Sequence, residues 1–504
     1  MELLSILSPL IQNLDTLKFL VISVIVLVVT KILTHKWQSI PGPWGFPLIG
    51  HLPFLGKDPM QQFQRYRKQY GDVYKINLGV WPTVVISGLD TVRKVLSEQS
   101  DSFAAKPEFN SFKHLTKMRG LTFGYFNQRY LLLRKIGSSV VREFSGKQNN
   151  QMEEILQEEA NRLVSEFVRE KEKPFNPYKA IMEATGSVIY QFCYGKGENI
   201  REDKDYVQFI QNHKAFKEIT KAGSPTDVLP WTRFFFRERL QNFYKLTKEG
   251  KEAREKKINE ISKTFDTKHL RHAVDGLISN TIKYGLGDEP NEAGVIKRDV
   301  LGITGDFFGA GFDTVATTLL WLFLYMAEYP EIQLKVQKEI EDNIGGSGII
   351  TTKHREDMPF TEATIYETMR LSGVVPMGLP HYTTEDVCVK GHIIRKGTLV
   401  FFNHYSVGHD EQWDNASEFN PDRFLDSEGK LIKDKTENVL AFSAGRRRCL
   451  GEVLARNELF LLFATVLLKC EIKKPENEEY DFEGIFSLTY SPKPYKIRVV
   501  SREF

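Results

Sequence analysis

The sequence predicts a mainly α-helical protein with a small β portion, in which one large domain follows an N-terminal membrane anchor helix. Its 504 residues are enough to bury a large core. Most segments from Asp90 to Leu379 carry apolar residues at helical spacing. An uncharged apolar run occupies Phe19–Thr30. Short β-like stretches lie at Val73–Leu78, Thr83–Ser87, Val387–Val400 and Ser487–Val500.

The N-terminal run predicts a helix that crosses a membrane once. Phe19–Thr30 holds twelve residues, too few for a hydrocarbon core of roughly 30 Å. Extending it to 14–33 gives twenty residues, or about 30 Å of helix. Lys31, His35 and Lys36 follow the run, so the positive-inside rule puts the rest of the chain in the cytosol. We expect an anchor over residues 1–36, with a buried core helix as the alternative.

A proline- and glycine-rich stretch separates this anchor from the main domain. Residues 41–50 contain three prolines and three glycines, which exclude a helix and make a stiff spacer. We expect a hinge over residues 37–50 and one domain over residues 51–504. Gly79 and Pro82 are expected to mark the turn between the first two strands.

Charge and cysteine content exclude several classes of protein. The formal net charge is only +3, from 68 basic and 65 acidic residues, so we expect no nucleic-acid partner. The four cysteines are far apart, which argues against a zinc site and a disulfide framework and favours a reducing compartment. Cys193, Cys388 and Cys470 are expected to be inert core residues.

Cys449 has a different setting, in the stretch FSAGRRRCLGE. Three arginines precede it and a helical pattern begins at about Leu450, and both features favour the thiolate form. Gly445 and Gly451 are expected to let the backbone approach a flat ligand and direct amide groups at the sulfur. These features together predict a metal-bound thiolate.

The segment Asp299–Pro330 is apolar on nearly all sides and predicts one buried helix. Asp306, Ala310, Asp313 and Thr314 lie along one side of it, although buried carboxylates need partners or a task. A threonine hydroxyl can bond to the carbonyl of the preceding turn and bend a helix. The pattern predicts a groove for a diatomic molecule and a water.

The cysteine stretch resembles the haem-binding motif of the cytochrome P450 superfamily, F-x-x-G-x-R-x-C-x-G. Phe442, Gly445, Arg447, Cys449 and Gly451 match it without a departure. The resemblance implies the cytochrome P450 fold with a single catalytic domain and haem b as cofactor. It also implies that Cys449 is the axial iron ligand, that Arg447 pairs with a haem propionate, and that the other matched residues form the cofactor-binding loop.

Three further residues resemble a structural motif of that family. Glu367 and Arg370 lie at i, i+3 in TIYETMR and alone would be an ordinary surface pair. With Arg423 of PDRF they resemble the family's buried Glu–Arg–Arg network, which implies a role in fixing the fold around the haem.

The stretch AGFDT resembles the family's oxygen-binding motif, A/G-G-x-D/E-T. The resemblance implies that Ala310 borders the haem, that Thr314 hydrogen-bonds the bound oxygen, and that Asp313 lies on the proton-delivery path. Thr314 and Asp313 are therefore the predicted catalytic residues. A helix-capping or salt-bridged acid is the alternative for Asp313 alone.

Other residues resemble the family's propionate anchors. His381 lies in PHYTTED, which matches P-H-x-T-T-x-D of one animal branch. Tyr130 and Arg134 in RYLLLRK resemble W-x-x-x-R, with tyrosine replacing tryptophan. The motifs overall are most similar to the animal microsomal group of steroid 17-alpha-hydroxylases and aryl-hydrocarbon hydroxylases.

By the same resemblance, nine residues are expected at the substrate pocket. One of them, Asp306, is a polar group suited to a substrate hydroxyl or carbonyl, and another, Phe209, belongs to the expected roof helix. The segment Asp227–Leu240 is aromatic and basic, which fits a bilayer surface or packing beneath the roof helices. The nine are Phe112, Phe126, Phe209, Ile303, Asp306, Ala310, Val374, Val375 and Leu488.

The resemblance implies a membrane-anchored monooxygenase that inserts one atom of O₂ into a small lipophilic substrate, such as a steroid, fatty acid or xenobiotic. No nucleotide-binding G-x-G-x-x-G follows a strand, so electrons are expected from another protein. The resemblance implies an NADPH-dependent cytochrome P450 reductase, with cytochrome b5 as a second candidate donor. The endoplasmic reticulum membrane is the expected location, with membrane lipid as a partner. Candidate docking residues for the reductase are Arg129, Lys135, Arg446 and Arg448.

Two other functions fit a haem–thiolate protein. One is an isomerase or dehydratase of lipid peroxides, which needs no reductase. The other is a haem carrier or sensor without turnover. Both lose favour because the acid–threonine pair at Asp313 and Thr314 is present, although a fold alone never proves a function.

Overall fold

The computed structural model describes residues 16–25, 40–56, 58–145, 150–197, 199–220, 224–344 and 348–502. Helices dominate this part of the chain, as the sequence predicts. Those before residue 300 are α1 (Thr16–Ile25), α2 (Pro59–Tyr70), α3 (Leu89–Glu98), α4 (Asn110–Thr116), α5 (Gln128–Ser145), α6 (Asn150–Arg169), α7 (Tyr178–Tyr194), α8 (Lys204–Thr220), α9 (Pro225–Val228), α10 (Arg237–Ser262), α11 (Ala273–Lys283) and α12 (Lys297–Gly311).

The remaining helices and the short strands belong to the second half and to the edge of the domain. The helices are α13 (Asp313–Glu328), α14 (Pro330–Ile344), α15 (Pro359–Ser372), α16 (His404–Gly408), α17 (Lys433–Glu437) and α18 (Glu452–Lys469). The strands are β1 (Val73–Leu78), β2 (Trp81–Ile86), β3 (His381–Tyr382), β4 (Val387–Val389), β5 (His392–Ile394), β6 (Leu399–Phe402), β7 (Cys470–Lys473), β8 (Gly484–Phe486), β9 (Tyr490–Pro492) and β10 (Arg498–Ser501).

The largest sheet has four strands in the order β1-β2-β6-β3. Strands β1 and β2 form an antiparallel hairpin, and β2 pairs in parallel with β6. Pro82 lies inside β2, not in the turn where the sequence placed it. Its missing N–H is tolerated because the pairing with β6 begins only at Thr83. The sequence pattern did not indicate the strands β3, β7 and β8.

Two helices form the centre of the core. Every residue of α13 from Val315 to Ala327 is buried, and so is every residue of α18 from Asn457 to Leu468. A helix that is apolar on all sides can be stable only inside the protein, surrounded by other elements. The helices α6, α7, α14 and α15 pack around this pair.

The predicted single helix Asp299–Pro330 is two helices in the structure. Helix α12 ends at Gly311 and α13 begins at Asp313, with Phe312 between them. The Thr314 hydroxyl donates to the carbonyl oxygen of Ala310 at 3.0 Å, the bond expected to bend the helix. Gly311 allows α7 to come close, since a Cβ there would lie 2.6 Å from Ile189.

The membrane anchor falls mostly outside the described residues. Within it the structure describes only α1, an apolar helix of ten residues with exposed side chains. The stretch 297–328 is long and apolar enough to cross a membrane, but 67% of its most apolar window is buried in the domain. It therefore belongs to the core.

The second half of the expected hinge is fixed to the domain. The backbone N–H of Lys75 donates to the carbonyl oxygen of Pro41 at 2.8 Å, and that of His51 donates to Asn77 at 2.7 Å. Ile40 is buried. Residues 41–50 are non-helical, as expected, and they lie along β1.

A buried ion network joins α15 to the segment that follows α16. Both oxygens of the Glu367 carboxylate accept from the Arg370 guanidinium, at 2.7 and 2.8 Å, and one also accepts from Arg423 Nε at 3.0 Å. The remaining guanidinium N–H groups donate to backbone carbonyls, including those of Ala416 and Glu418. Because every charged group has its hydrogen-bond partners, the network is stable despite its burial.

Replacing Arg423 with Lys is expected to lower the free energy of unfolding by about 3 kcal/mol, because one ammonium cannot reproduce the four directed hydrogen bonds of the guanidinium. Chemical denaturation of the purified protein measures the change. Lys335→Ala is the control, since its ion pair with Asp422 is exposed on both sides and is worth under about 1 kcal/mol. If Arg423→Lys were as stable as the native protein, the network would not stabilise the fold in the way described.

Candidate active site

The loop before α18 presents Cys449 to an internal cavity. A 3-10 turn at Gly445–Arg447 folds the loop back, and the Cys449 N–H donates to the Phe442 carbonyl oxygen at 2.9 Å. The Cys449 side chain is surrounded by protein, yet its surface is accessible because it faces the cavity. The fold thereby keeps one sulfur atom uncovered inside the core.

The thiol of Cys449 receives less help from its arginines than the sequence suggests. Burial raises the pKa of Cys449, and the backbone N–H of Gly451 at the start of α18 lowers it only in part. The Arg446 guanidinium pairs with Asp101 and that of Arg448 with Glu452, so their charges are largely compensated. Without a bound cation the cysteine is therefore a thiol, and a metal ion is needed to favour thiolate.

The two glycines of the loop have different reasons to be there. Gly451 faces the cavity, and a Cβ at this position would meet nothing within 4 Å. Gly445 has φ +71°, and a Cβ there would lie 2.3 Å from the Leu96 carbonyl oxygen. The glycine at 445 is therefore required by the turn and its packing on α3, not by the approach of a flat ligand.

The break between α12 and α13 brings Ala310 and Thr314 to the same cavity as Cys449. Next to them, Asp313 accepts from Lys217 Nζ at 2.7 Å and from the Thr489 hydroxyl at 2.9 Å. Burial would raise the pKa of Asp313, but His213 and Lys217 outweigh it and hold the pKa well below its usual range. Asp313 is thus an ionised, ion-paired acid at neutral pH.

The expected propionate anchors meet at one end of the cavity. Tyr130 donates to the Arg446 carbonyl oxygen at 3.1 Å, and Arg134 donates to the Arg448 carbonyl oxygen at 2.6 Å. The Arg447 guanidinium lies 3.8 Å from the centre of the Tyr130 ring and donates to three backbone carbonyl oxygens. His381 is buried, and its Nδ1 lies 2.6 Å from the Phe103 carbonyl oxygen.

Lys106 is a further cation at this end that the sequence analysis missed. Its side chain is buried, and among the described residues its Nζ donates only to the Leu379 carbonyl oxygen, at 3.4 Å. Burial, together with the nearby charge of Arg447, lowers the pKa of Lys106 well below its usual value. The stretch FAAKPEF gives no local sign that its lysine is buried.

The cavity has a volume of about 1730 Å³, and it gathers most of the predicted site residues. It is bordered by Cys449, Arg447, Arg134, Tyr130, His381, Phe442, Gly451, Ala310, Asp313 and Thr314. Of the expected substrate contacts it is also bordered by Phe209, Asp306, Val374, Val375 and Leu488.

Three expected substrate residues lie behind the cavity wall of the described structure. Phe112 stacks on Phe123 at 3.9 Å between ring centres, and it is Phe123 that lines the cavity. Phe126 packs against Tyr130 at 5.6 Å. Ile303 is fully buried on the side of α12 that faces α5. Neighbouring residues on a helix or loop direct their side chains differently, and a motif match does not show which of them faces the cavity.

Asp306 borders the cavity but is already engaged. Its two carboxylate oxygens accept the backbone N–H groups of Leu121 and Thr122, each at 3.0 Å. Burial raises the pKa of Asp306. The carboxylate therefore ties α12 to the segment before α5, and the expected contact with a substrate hydroxyl stays a prediction.

The haem b implied by the sequence fits the residues present. One uncovered thiol faces the cavity, and Lys106, Arg134 and Arg447 form no ion pair with any carboxylate of the described residues. Buried cations without counter-charges are costly. The two propionate carboxylates of haem b would supply the missing negative charge, and Cys449 would supply the iron ligand.

Lys106→Gln is expected to weaken haem retention, because it removes one charged partner of a propionate. We expect roughly tenfold faster haem transfer to an acceptor apoprotein, measured by the change in absorbance. Lys94→Gln is the matched control, since it removes the same charge at an exposed position of α3. Equal transfer rates for Lys106→Gln and Lys94→Gln would contradict the role of Lys106.

Comparison with known proteins identifies the family. Residues 40–499 match the Cytochrome P450 family model. Cytochrome P450 1A1 of Macaca mulatta is 34% identical over 459 residues, covering 89% of each chain, and that of Homo sapiens is 35% identical over the same shares. A solved zebrafish cytochrome P450 with progesterone is 26% identical and superposes with a TM-score of 0.79, covering 88% of this chain and 99% of that one. The chain belongs to the cytochrome P450 family and is a haem–thiolate monooxygenase whose cofactor is haem b.

Proposed function

We propose that this protein is an endoplasmic reticulum monooxygenase that oxidises a small lipophilic substrate with electrons from an NADPH-dependent cytochrome P450 reductase. The observation that carries the proposal is the sharing of one cavity by Cys449 and Thr314. Much of the remaining wall is apolar, which suits a lipophile. The solved relative with progesterone makes a steroid-like substrate one candidate, beside fatty acids and xenobiotics.

When bound, haem supplies the reductive activation of O₂, in which one oxygen atom enters a C–H or C=C bond and the other leaves as water. The residues of the chain bind and orient the cofactor and the substrate. Cys449 would hold the iron, and Lys106, Arg134 and Arg447 would pair with the propionates. Thr314 carries a hydroxyl proton beside the break in the helix, where it now donates to Ala310.

Asp313 acts as a fixed negative charge next to that hydroxyl. Because its pKa is held well below neutral pH, it accepts hydrogen bonds and does not store a proton. The ammonium group of Lys217 donates a hydrogen bond to this carboxylate, with 2.7 Å between Nζ and the Asp313 oxygen. This pairing supports the proposed proton path along α12 and α13.

The proposed chain organisation is an anchor at 1–36, a hinge at 37–50 and a catalytic domain at 51–504, which faces the cytosol. An exposed aromatic group supports contact of this domain with lipid. The side chains of Trp231, Phe234 and Phe235 are 52%, 84% and 74% exposed, in a segment that also carries Arg233. Aromatic and basic residues together favour a bilayer surface.

The proposed reductase site is the basic surface around the cysteine loop. Lys135, Arg446 and Arg448 are exposed there. Arg129 is half-buried and donates to the Met118 carbonyl oxygen at 3.1 Å, so it contributes less. Charge complementarity at such a surface mainly raises the association rate. Cytochrome b5 is a second candidate for the same surface.

Product formation from a panel of lipophilic substrates is expected to require both NADPH and the reductase. Cys449→Ser is the matched control: it should give no product and should lose the strongly red-shifted absorption of the ferrous CO complex. Turnover of a lipid peroxide without reductase would instead favour an isomerase or dehydratase. No turnover across the panel would favour a carrier or sensor.

Thr314→Ala is expected to uncouple the reaction, because the hydroxyl that donates beside the reacting oxygen is lost. NADPH consumption should continue while product per NADPH falls roughly tenfold and hydrogen peroxide is released. Thr314→Ser keeps the hydroxyl and should retain most of the coupling. Unchanged coupling in Thr314→Ala would remove this residue from the proposed mechanism.

A further inference from the structure

Arg254 of α10 is a cation in the cavity wall that is largely enclosed by protein but partly accessible through the cavity, and among the described residues it has no direct partner. Its guanidinium lines the cavity and forms no hydrogen bond or ion pair with another described residue. Burial lowers the pKa of Arg254, and the neighbouring Tyr194, Asp306, Glu255 and Cys193 offset this only in part. A buried guanidinium left in this state is costly unless a ligand supplies the missing acceptors.

Glycines shape a slot for this guanidinium. A Cβ on Gly305 of α12 would lie 3.4 Å from both Nε and one terminal nitrogen of Arg254, and a Cβ on Gly250 would lie 3.5 Å from the other. The planar group therefore lies against two backbone segments that carry no side chain. Packing alone fixes its position, and its hydrogen-bonding groups are left for a ligand.

The nearby carboxylates are already used by other groups. Both oxygens of Asp306 accept backbone N–H groups. Glu255 accepts from Arg298, at 2.9 Å. Neither acid forms an ion pair with Arg254 among the described residues.

Further positive charge surrounds the same part of the cavity. Lys251, one turn before Arg254, also lines it and has no ion pair among the described residues. Burial lowers the pKa of Lys251, and Arg298, Lys117 and Arg254 add to this lowering. Excess positive charge distinguishes an anion site from one for a neutral carbonyl or hydroxyl.

The position of Arg254 fixes how far a group bound to it lies from Thr314. Gly305, against which its guanidinium lies, is nine residues before Thr314, or about 13 Å along the helices at ~1.5 Å per residue. Phe308, Gly309 and Ala310 border the cavity between these points. The cavity wall between them is therefore largely apolar apart from Asp306 and Asp313.

We propose that Arg254 binds the carboxylate or sulfate group of an anionic lipophilic substrate and so directs oxidation to the end of the molecule remote from that group. The proposal rests on the monooxygenase function above and names its substrate class. The guanidinium fork suits two oxygens of one anion. The apolar stretch toward Thr314 accommodates the rest of the molecule.

The test compares an acid and a neutral lipophile of equal length. Equilibrium dialysis of radiolabelled dodecanoate and dodecanol against the haem-loaded full chain measures binding without requiring turnover. We expect Arg254→Gln to weaken dodecanoate binding about tenfold or more and dodecanol binding less than about twofold. Lys256→Gln is the control, since Lys256 lies on the same helix, is exposed and does not border the cavity.

Three results would overturn the proposal: equal binding of acid and alcohol by the native protein, equal loss of both in Arg254→Gln, or a loss of haem from that variant. If Arg254→Gln does not fold, Arg254→Lys replaces it, and a selective loss of dodecanoate affinity is again expected. Selective binding without NADPH-driven turnover would uphold this proposal and contradict the monooxygenase function. Turnover of neutral lipophiles without a preference for the acid would uphold the monooxygenase function and contradict this proposal.

Discussion

One sulfur atom has to remain uncovered inside a closely packed helical core, and the surrounding structure serves that constraint. The loop from Phe442 to Cys449 is closed by its own backbone hydrogen bond. It turns at Gly445, where only glycine fits because the backbone packs closely on α3. Helix α18, buried along most of its length, fixes the end of this loop. The ion network at Glu367 holds the neighbouring segment in place. The thiol itself forms part of the cavity wall and not of the packing.

Unbalanced positive charge is the second theme of this cavity. Among the described residues, Lys106, Arg134 and Arg447 at one end form hydrogen bonds only to carbonyl or hydroxyl oxygens, and Arg254 on α10 forms none. A folded chain normally avoids such groups because desolvated charges are costly. The pattern is explained if negative charge arrives with the cofactor at the first place and with a substrate at the second.

The sequence predicted the chemistry of the site better than its geometry. The cysteine motif, the acid–threonine pair and the Glu–Arg–Arg network depend on residue identity at fixed spacing, and they meet as expected. Lys106 and Arg254 were not predicted, because an isolated basic residue carries no sign of its burial. Phe112 and Ile303 were expected at the pocket, but side-chain direction depends on packing against α5 and the segment before it.

The helix break was also missed because it depends on packing. Asp299–Pro330 is uniformly apolar, so the pattern indicates one buried helix, and the expected bend at Thr314 becomes an interruption at Phe312. The side chain of Phe312 is itself buried. The hydroxyl bond of Thr314 was expected from the sequence, whereas the close packing against α7 at Gly311 is not visible in local composition.

The attachment of residues 41–50 to β1 limits how the catalytic domain can move relative to a bilayer. With an anchor ending at residue 36, only three residues precede the buried Ile40, and these span at most about 11 Å. If the proposed anchor is present, so short a tether would prevent free tumbling. It would restrict the domain to rocking about one contact point, with the same face toward the lipid.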